Sequence, residues 1–264
     1  MALASMSEIF ERMARNGQEF WEVVLADDMD ERQVSREASM AKMLTTWQAM
    51  QDAADSYTGR KRSVSGLVGG DGMKMRQYTF RGCAMTGGYV SEVIAEALSM
   101  AESNACMRRI VAAPTAGACG VLPAVLLPLC KYEELTQHQL LEALYVAAGI
   151  GSVIAYKASI AGASGGCQAE IGTASAMAAG ALVALRGGEG EQIGHAVAMA
   201  LKNLMGLVCD PVAGLVEVPC VKRNVIGAVN AVSAADMALA GIESRIPVDE
   251  VIDAMGEVGR RMPV

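Results

Sequence analysis

The segment that most constrains the fold of this chain begins at Thr136. Thr136 and Gln139 form a capping box, a pattern that predicts a helix starting here and running to about Tyr156. Apolar residues surround nearly all of the second half of this predicted helix. Because a helix that is apolar on every side must be enclosed by other elements, we expect a bundle around a buried central helix.

The other long elements are also predicted to be helical. Helical spacing of apolar residues predicts helices at 88–104, 190–206, 222–240 and 248–259, and no run alternates as a strand does. The chain is 52% hydrophobic but only 4% aromatic, and it has 28 glycines. This composition favours closely packed helices over a β-sandwich, so the expected fold class is all-α, a compact helical bundle.

The chain divides most naturally near residue 60. Residues 1–59 are predicted to form an N-terminal helical region that is more polar than the rest, and a linker rich in glycine and serine follows at 60–72. Residues 60–264 would form the larger helical domain.

Charge and cysteine usage limit the partners and the compartment. The net charge of −7 gives no electrostatic case for a nucleic acid or an anionic membrane. Residues 110–130 carry no charge, but their prolines and glycines favour a loop and a core helix over a membrane span. Seven cysteines, an odd number, and an N-terminus unlike a signal peptide indicate a cytoplasmic protein.

Three cysteines lie in unusual surroundings. Cys167 lies in ASGGCQAEIG, Cys209 in GLVCDPVAG and Cys220 in LVEVPCVKRN. Pro211 and Pro219 predict a rigid loop between the last two. Cys167 follows a glycine pair at a predicted helix start, where we expect a lowered thiol pKa. Three such thiolates suggest a metal or cluster site with one open position.

Spacing alone leaves another reading open, in which all seven cysteines are core residues. Apolar or small neighbours favour that reading for the other four, which we predict to lie in the core: Cys83, Cys106, Cys119 and Cys130.

Three further features could serve a ligand. The loop 60–72 and the loop-to-helix entry at 115–117 could offer backbone amides to an anion, although a flexible connection and a plain helix cap fit them as well. Lys157 is the only cation in its apolar stretch, so it either faces a polar cavity or belongs to a buried ion pair. The two histidines, His138 and His195, are predicted to lie at the surface and in a structural role, respectively.

The segments SVSGLVGGDG, IVAAPTAGACGVLP, GGCQAEIG and CDPVAGLVEVPCVKRN, in this order, resemble the alpha chain of the iron–sulfur-dependent bacterial L-serine dehydratases. The resemblance covers nearly the whole chain. It departs from the family pattern at IAGASGG and ESNACMRRI. Where this chain stops at MPV, we would expect some tens of further residues that could help to close the site.

The resemblance implies an all-helical catalytic domain that binds a [4Fe–4S] cluster through Cys167, Cys209 and Cys220. The cluster would be held by loops and a helix start, and the fourth iron would be left for the substrate. The implied enzyme is a carbon–nitrogen lyase, an L-serine ammonia-lyase that needs no pyridoxal phosphate and forms pyruvate and ammonia. A separate beta chain and an oligomer are expected.

The substrate carboxylate would need donors, for which the candidate residues are Ser63, Ser65, Gly66, Thr115 and Gly117. Lys157 is the candidate catalytic residue, as a carboxylate ligand or as the base, unless the beta chain supplies the base. Two alternatives remain open, a cluster-dependent L-cysteine desulfidase and a non-catalytic helical subunit.

Overall fold

The computed structural model describes residues 3–262, and all regular structure in that range is helical, which confirms the all-α prediction. The α-helices, in chain order, are α1 (Met6–Asn16), α2 (Phe20–Arg32), α3 (Arg36–Asp55), α4 (Asp71–Phe80), α5 (Gly88–Ala105), α6 (Val121–Tyr132), α7 (Gln137–Lys157), α8 (Gly162–Gly165), α9 (Thr173–Leu185), α10 (Gly190–Asn203), α11 (Cys220–Leu239) and α12 (Val248–Arg261). Short 3₁₀ turns form at Ala116–Ala118 and Val212–Gly214, and Gln168–Gly172 is π-helical.

Helix α9 lies at the centre of the bundle. It packs against α6, α7, α10 and α11, and every residue from Thr173 to Val183 is buried. Its sequence consists mostly of alanine and other small residues, so neighbouring backbones can approach closely. Ser175 Oγ, for example, donates a 2.7 Å hydrogen bond to the Gly227 carbonyl of α11.

Helix α7 lies beside α9 and not at the centre, where its sequence had led us to expect it. The predicted capping box is present: the Gln139 amide donates to Thr136 Oγ1 (3.2 Å) and the Thr136 amide donates to Gln139 Oε1 (2.9 Å). An exposed stripe includes Ala148, Ser152 and Tyr156. By length and composition α7 could cross a membrane, but 67% of its apolar window is buried within the protein, as in an ordinary core helix.

The remaining helices surround this centre. Helix α5 packs between α4, α6 and α11, and α2 and α3 cover α7. Buried side chains of α1–α3, such as Ile9, Phe20 and Trp47, belong to the same hydrophobic cluster as those of α9. The division into two domains near residue 60 stays a prediction.

Helix α12 closes the end of the bundle that carries the cysteines. It packs on α10, on α8 and on the π-helical segment. Asp249 of α12 accepts hydrogen bonds from the backbone amides of Met6 (3.0 Å) and Ser7 (2.9 Å), so it caps α1 from another element. Helix α11 begins two residues before its predicted start, and its first residue is therefore Cys220.

Candidate functional site

Cys167 lies between the single turn of α8 and the π-helical segment, with only 4% of its surface exposed. The preceding Gly166 has a φ of 77°, in the left-handed region, and a Cβ there would lie 2.4 Å from Met262 Sδ and 2.8 Å from the Leu207 carbonyl. Only glycine fits this position. The glycine pair of GGCQ thus lets the chain turn tightly and bring Cys167 beneath α12.

Gln168 holds the Cys167 segment to two other parts of the bundle. Its Nε2 donates to the Met255 carbonyl of α12 (2.9 Å), and its Oε1 accepts from the Gly206 amide (2.8 Å). Its own backbone amide donates to the Leu207 carbonyl (3.0 Å). Cys167 is therefore fixed next to the segment that leads to Cys209.

The segment from Cys209 to Cys220 is an irregular loop, as predicted. The Val212 amide donates to the Val218 carbonyl (2.8 Å), which closes the loop on itself around the 3₁₀ turn. Cys209 is exposed on the loop, whereas Cys220 is partly buried as the first residue of α11.

Asn224, fully buried in α11, joins Cys220 to the 115–120 loop. Its Nδ2 donates to the carbonyls of Gly117 (2.8 Å) and Cys220 (3.0 Å), and its Oδ1 accepts from the Gly120 amide (2.9 Å). A Cβ at Gly120 would meet Asn224 Oδ1 at 2.9 Å, so this contact needs a glycine. The second candidate ligand loop thus lies next to a cysteine.

Arg223 connects the cysteine segments electrostatically. Its guanidinium donates to the Val208 carbonyl (2.9 Å) and pairs with Asp210 (2.6 Å), and it lies close enough to Cys167 to act on the pKa of that thiol. It therefore contacts both residues that flank Cys209 and faces the Cys167 side chain. Planar guanidinium groups suit such bridging because they present five donors in a fixed geometry.

All three thiols have raised pKa values. Burial raises the pKa of Cys167 to about 11, although Arg223 acts in the opposite direction. Burial and then the charge of Glu170 raise the pKa of Cys209 and of Cys220. The expectation of a lowered pKa at Cys167 is wrong for the metal-free chain, because burial outweighs the helix start and the arginine.

Glu170 lies among the three cysteines. Its charge raises the pKa of each of them. Its carboxylate also lies against two glycines: a Cβ would be 3.1 Å from Oε2 at Gly117 and 2.7 Å from it at Gly162. The site therefore combines three thiols, two carboxylates (Glu170 and Asp210) and one guanidinium, brought together from the end of α8, the π-helical segment, the Cys209–Cys220 loop and α11.

With this geometry in view, comparison with known proteins identifies the family. A family model described as "Serine dehydratase alpha chain" matches residues 15–264. The chain belongs to the serine dehydratase alpha-chain family.

Relatives in this family are similar over most of the chain. A probable L-serine dehydratase alpha chain of Bacillus subtilis is 47% identical over 242 residues, 92% of this chain and 81% of that protein. An L-serine dehydratase alpha chain of Peptoniphilus asaccharolyticus is 39% identical over 261 residues, 98% of this chain and 89% of that one. L-serine dehydratase 2 of Escherichia coli is 48% identical over 168 residues, which cover only 37% of its length.

In this member of the serine dehydratase alpha-chain family, the serines of the 60–72 loop face a carboxylate of the chain itself. Ser63 Oγ donates to Glu217 Oε2 (2.7 Å), and Ser65 Oγ donates to the same oxygen. Gly66 has a φ of 77° and forms the turn between them and Val68, with no atom within 4 Å of its Cβ position. A substrate-binding role for these three residues stays a prediction.

Thr115 and Gly117 lie on the cysteine side of the site. The Thr115 hydroxyl is buried and, within residues 3–262, has no hydrogen-bond partner. Gly117 contacts Glu170 and, through Asn224, is tied to Cys220. Such an unpaired buried hydroxyl is costly unless something bonds to it, which is consistent with the predicted ligand role.

Lys157 forms ion pairs at the end of α7. Its Nζ lies 3.1 Å from Asp253 Oδ2 and 3.5 Å from Asp249 Oδ1, both on α12. The charged side chains that shift the pKa values of the three thiols include Glu170, Asp210 and Arg223, but not Lys157. The geometry agrees with the ion-pair reading, and a catalytic role for Lys157 stays a prediction.

The four remaining cysteines do not all lie in the core. Cys119 is fully buried, as predicted, and Cys106 is partly buried. The prediction is wrong for Cys83 and Cys130, which are exposed. Cys83 lies in the connection after α4, and Cys130 lies on the outer side of α6 in its last turns, where apolar neighbours in sequence face the other way.

The donor set fits an iron–sulfur cluster by its chemistry. Among residues 3–262, no three His, Cys, Asp or Glu side chains are close enough together to hold a lone metal ion. A cluster differs from one ion because each thiolate bonds a different iron, so the sulfurs need not meet at one point. Three cysteines within electrostatic range of one another, with Arg223 beside them, are compatible with that larger group.

Sequence analysis missed five polar residues that build this site, namely Gln168, Glu170, Glu217, Arg223 and Asn224. All of them lie within the motifs GGCQAEIG and CDPVAGLVEVPCVKRN that carried the family resemblance. Attention to the polar residues of those motifs, and not to the cysteines alone, would have identified them.

Proposed function

We propose that this chain is the alpha chain of an L-serine dehydratase. The enzyme eliminates water from L-serine, and the resulting aminoacrylate hydrolyses to pyruvate and ammonia. The observation that carries the proposal is that a chain matching the family over residues 15–264 brings Cys167, Cys209 and Cys220 together around Glu170 and Arg223.

Cys167, Cys209 and Cys220 would hold a [4Fe–4S] cluster with one iron free of protein ligands. When bound, the cluster would supply Lewis acidity toward the serine hydroxyl, a poor leaving group without such help. The proposal includes no pyridoxal phosphate.

Cluster binding adds negative charge to the site, because the three cysteines lose their protons when they become ligands. The raised pKa values keep the three thiols protonated near neutral pH, so ligation must release their protons. Arg223 is charged, as every arginine is at ordinary pH; burial lowers its pKa, but the bond to Asp210 raises it and the net shift is upward. Its positive charge next to Cys167 offsets part of the negative charge that develops there.

The substrate would bind beside the 115–117 loop and Glu170, which are in contact with each other. The unpaired Thr115 hydroxyl can donate to the serine carboxylate, and the loop around Gly117 presents backbone at the same place. The carboxylate of Glu170 suits the ammonium group of the substrate, because opposite charges attract strongly where water is partly excluded.

A beta chain completes the proposal. The alpha-chain names of the relatives imply such a partner, and we keep an oligomer and a cytoplasmic location as parts of the proposal. All seven cysteines are free, which suits a reducing compartment.

An anaerobic assay with and without the beta chain tests this function. The protein, reconstituted with iron and sulfide, should form pyruvate from L-serine once the beta chain is added. Sulfide release from L-cysteine with no pyruvate from L-serine would instead identify a desulfidase. A lack of both activities, together with a lack of iron in the reconstituted protein, would leave the non-catalytic subunit.

A further inference from the structure

Glu217 is an unusual residue in its loop. Within residues 208–219 it is the only buried residue, with 6% of its surface exposed, whereas Val212, Leu215 and Val216 are 42–52% exposed. The loop that carries Cys209 and leads to Cys220 therefore contacts the body of the protein through few side chains. Val218 packs on the small hydrophobic cluster around Val68 and Val221, Asp210 pairs with Arg223, and Glu217 supplies the one buried carboxylate of the loop.

This carboxylate is held by two hydroxyl groups from a loop that is 152–154 residues away in sequence. Ser63 Oγ and Ser65 Oγ both donate to Glu217 Oε2. A buried carboxylate is costly unless hydrogen bonds replace its water. Bonds to a charged acceptor are also stronger than those between neutral groups. These two hydrogen bonds therefore join the 60–72 loop, here called the serine loop, to the Cys209–Cys220 loop.

The serine loop is shaped to make this contact. Ser63 Oγ accepts from the Val68 amide (3.2 Å) and Ser65 Oγ accepts from the Leu67 amide (3.1 Å). Each hydroxyl has one proton to donate, and in both serines that proton is directed to Glu217. While these two hydroxyl groups donate to Glu217, they cannot also donate to a substrate carboxylate.

A backbone hydrogen bond connects Glu217 to the start of α11, where Cys220 lies. The Glu217 carbonyl accepts from the Val221 amide (3.0 Å) in the first turn of α11, where Cys220 is the first residue. On the other side, the Val212–Val218 hydrogen bond connects the position of Glu217 to the rest of the loop. Displacement of the Glu217 side chain would therefore move the start of α11 and the loop together.

We propose that Glu217 is a positioning residue, whose contacts with Ser63 and Ser65 hold the Cys209–Cys220 loop in the arrangement that the cluster needs. We call these three residues the serine clasp. The role in cluster binding rests on the proposed function. The anchoring of the loop is a property of the chain itself. In this proposal Ser63 and Ser65 support the Cys209–Cys220 loop and do not bind the substrate carboxylate.

Hydrogen exchange of the full-length, metal-free chain tests the anchor. In Glu217→Gln a neutral amide oxygen replaces the charged oxygen that accepts both serine hydrogen bonds. Because bonds to a neutral acceptor are weaker, peptides covering 62–70 and 208–221 should exchange on the order of tenfold faster. Glu243→Gln makes the same chemical change at an exposed residue paired with Arg245 and should leave these peptides unchanged. Ser65→Ala, a milder variant, should speed exchange in the same two segments by less.

A second arm measures cluster retention in the reconstituted protein. Glu217→Gln should lose iron to a chelator on the order of tenfold faster than the wild-type protein and the Glu243→Gln control. Unchanged exchange at 208–221 in Glu217→Gln would overturn the proposal. So would a lowered KM for L-serine in Glu217→Ala, because it would mean that the freed serines bind substrate. If the wild-type protein binds no cluster but exchange responds as expected, the proposed function fails and the anchor stands.

Discussion

Arg223 contacts both residues that flank Cys209 and lowers the pKa of the Cys167 thiol, so one guanidinium acts on cysteines that are 42 positions apart in sequence. Glu170 acts on the same thiols with the opposite charge. The metal-free site therefore sets one guanidinium against two carboxylates, Glu170 and Asp210, while the thiols stay protonated. At this scale, the residues next to the cysteines determine whether the ligands can be deprotonated and held.

Replacement of Arg223 by lysine tests this role. Lysine keeps the charge but lacks the planar fork of donors that reaches Val208 and Asp210 together. We expect cluster-dependent kcat/KM to fall by roughly 10- to 100-fold, the usual cost of removing a group that supports metal ligands. Iron content and circular dichroism should show less cluster in an intact helical fold. The matched control, Arg245→Lys, changes an arginine whose side chain is 88% exposed, and it should change neither kcat/KM nor the iron content.

At the scale of helices, small residues determine which elements meet. Gly180 of α9 packs so closely on α7 that a Cβ there would lie 2.2 Å from Ile150 Cδ1. By contrast, nothing lies closer than 3.9 Å to a Cβ at Gly172. The bundle therefore tolerates added volume at one of these glycines and not at the other.

Gly180→Ala should lower the free energy of unfolding by about 1 kcal/mol, because the displacement of Ile150 Cδ1 outweighs the gain of about 1 kcal/mol in helix propensity. For a chain of this size that corresponds to a fall in Tm of about 2–4 °C per kcal/mol. Gly172→Ala should be neutral or slightly stabilising, since alanine favours a helix and finds room. Thermal unfolding followed by circular dichroism measures both, and equal losses in the two variants would contradict the packing argument.

Helix α12 stabilises α1 through Asp249, and this contact gives stability a defined pH dependence. Burial raises the pKa of Asp249, but the hydrogen bonds from Ser7 and Met6 and the charge of Lys157 outweigh it, so that the net pKa is lowered. The unfolded chain therefore takes up a proton at a higher pH than the folded one. The stabilisation is present above the unfolded pKa of about 4 and is lost as the pH falls through the lower folded value.

Asp249→Asn should cost about 1–3 kcal/mol of unfolding free energy at pH 7, and the difference from wild type should shrink below about pH 4. Asp253→Asn removes the other partner of Lys157 from a side chain that is 59% exposed and should cost much less. Denaturant unfolding at pH 7 and at about pH 3.5 provides the comparison. A difference for Asp249→Asn that stays constant with pH would count against this account.

The sequence predicted most helices well, because their apolar spacing is a local property. The helix predicted at 88–104 forms at 88–105, and the one expected from 137 to about 156 forms at 137–157. The single turn of α8 and the π-helical segment have no such signal, since they exist only because Gln168 and Gly166 meet α12. The contact between Ser63 and Glu217 was missed for the same reason, as it depends on the fold and not on neighbours in sequence.

Cysteine exposure was predicted less well, because sequence neighbours do not show which side of a helix faces outward. Cys119 and Cys130 both lie among apolar residues, yet only Cys119 faces the interior. The three proposed ligands were identified from the flanking motifs. Their spacing alone left a wholly structural role open.

For the whole molecule, exposed apolar side chains lie on the two loops that the serine clasp joins. The serine clasp places the 63–68 loop next to the cysteine loop, so their exposed apolar residues lie near one another. These are Val64 (93% exposed), Leu67 (64%), Val212 (52%), Val216 (47%) and Leu215 (42%). Such a group is typical of an interaction surface, and we expect the proposed beta chain to cover it.

Replacement of Val64 and Leu67 together by aspartate should weaken binding of the beta chain on the order of tenfold or more, because buried charges would then oppose docking. Binding measured by calorimetry, with Ile242→Asp as a control at an apolar residue that is 51% exposed elsewhere, checks this. An unchanged affinity in the double variant would mean that the beta chain binds another face.

The central claim is that Cys167, Cys209 and Cys220 hold an iron–sulfur cluster, and iron and sulfide analysis after anaerobic reconstitution tests it most directly. The wild-type protein should contain about four irons and four sulfides per chain. Cys209→Ala should lose them, while Cys130→Ala, which changes another exposed cysteine, should keep them. Iron bound equally by both variants, or lost from Cys130→Ala alone, would contradict the assignment.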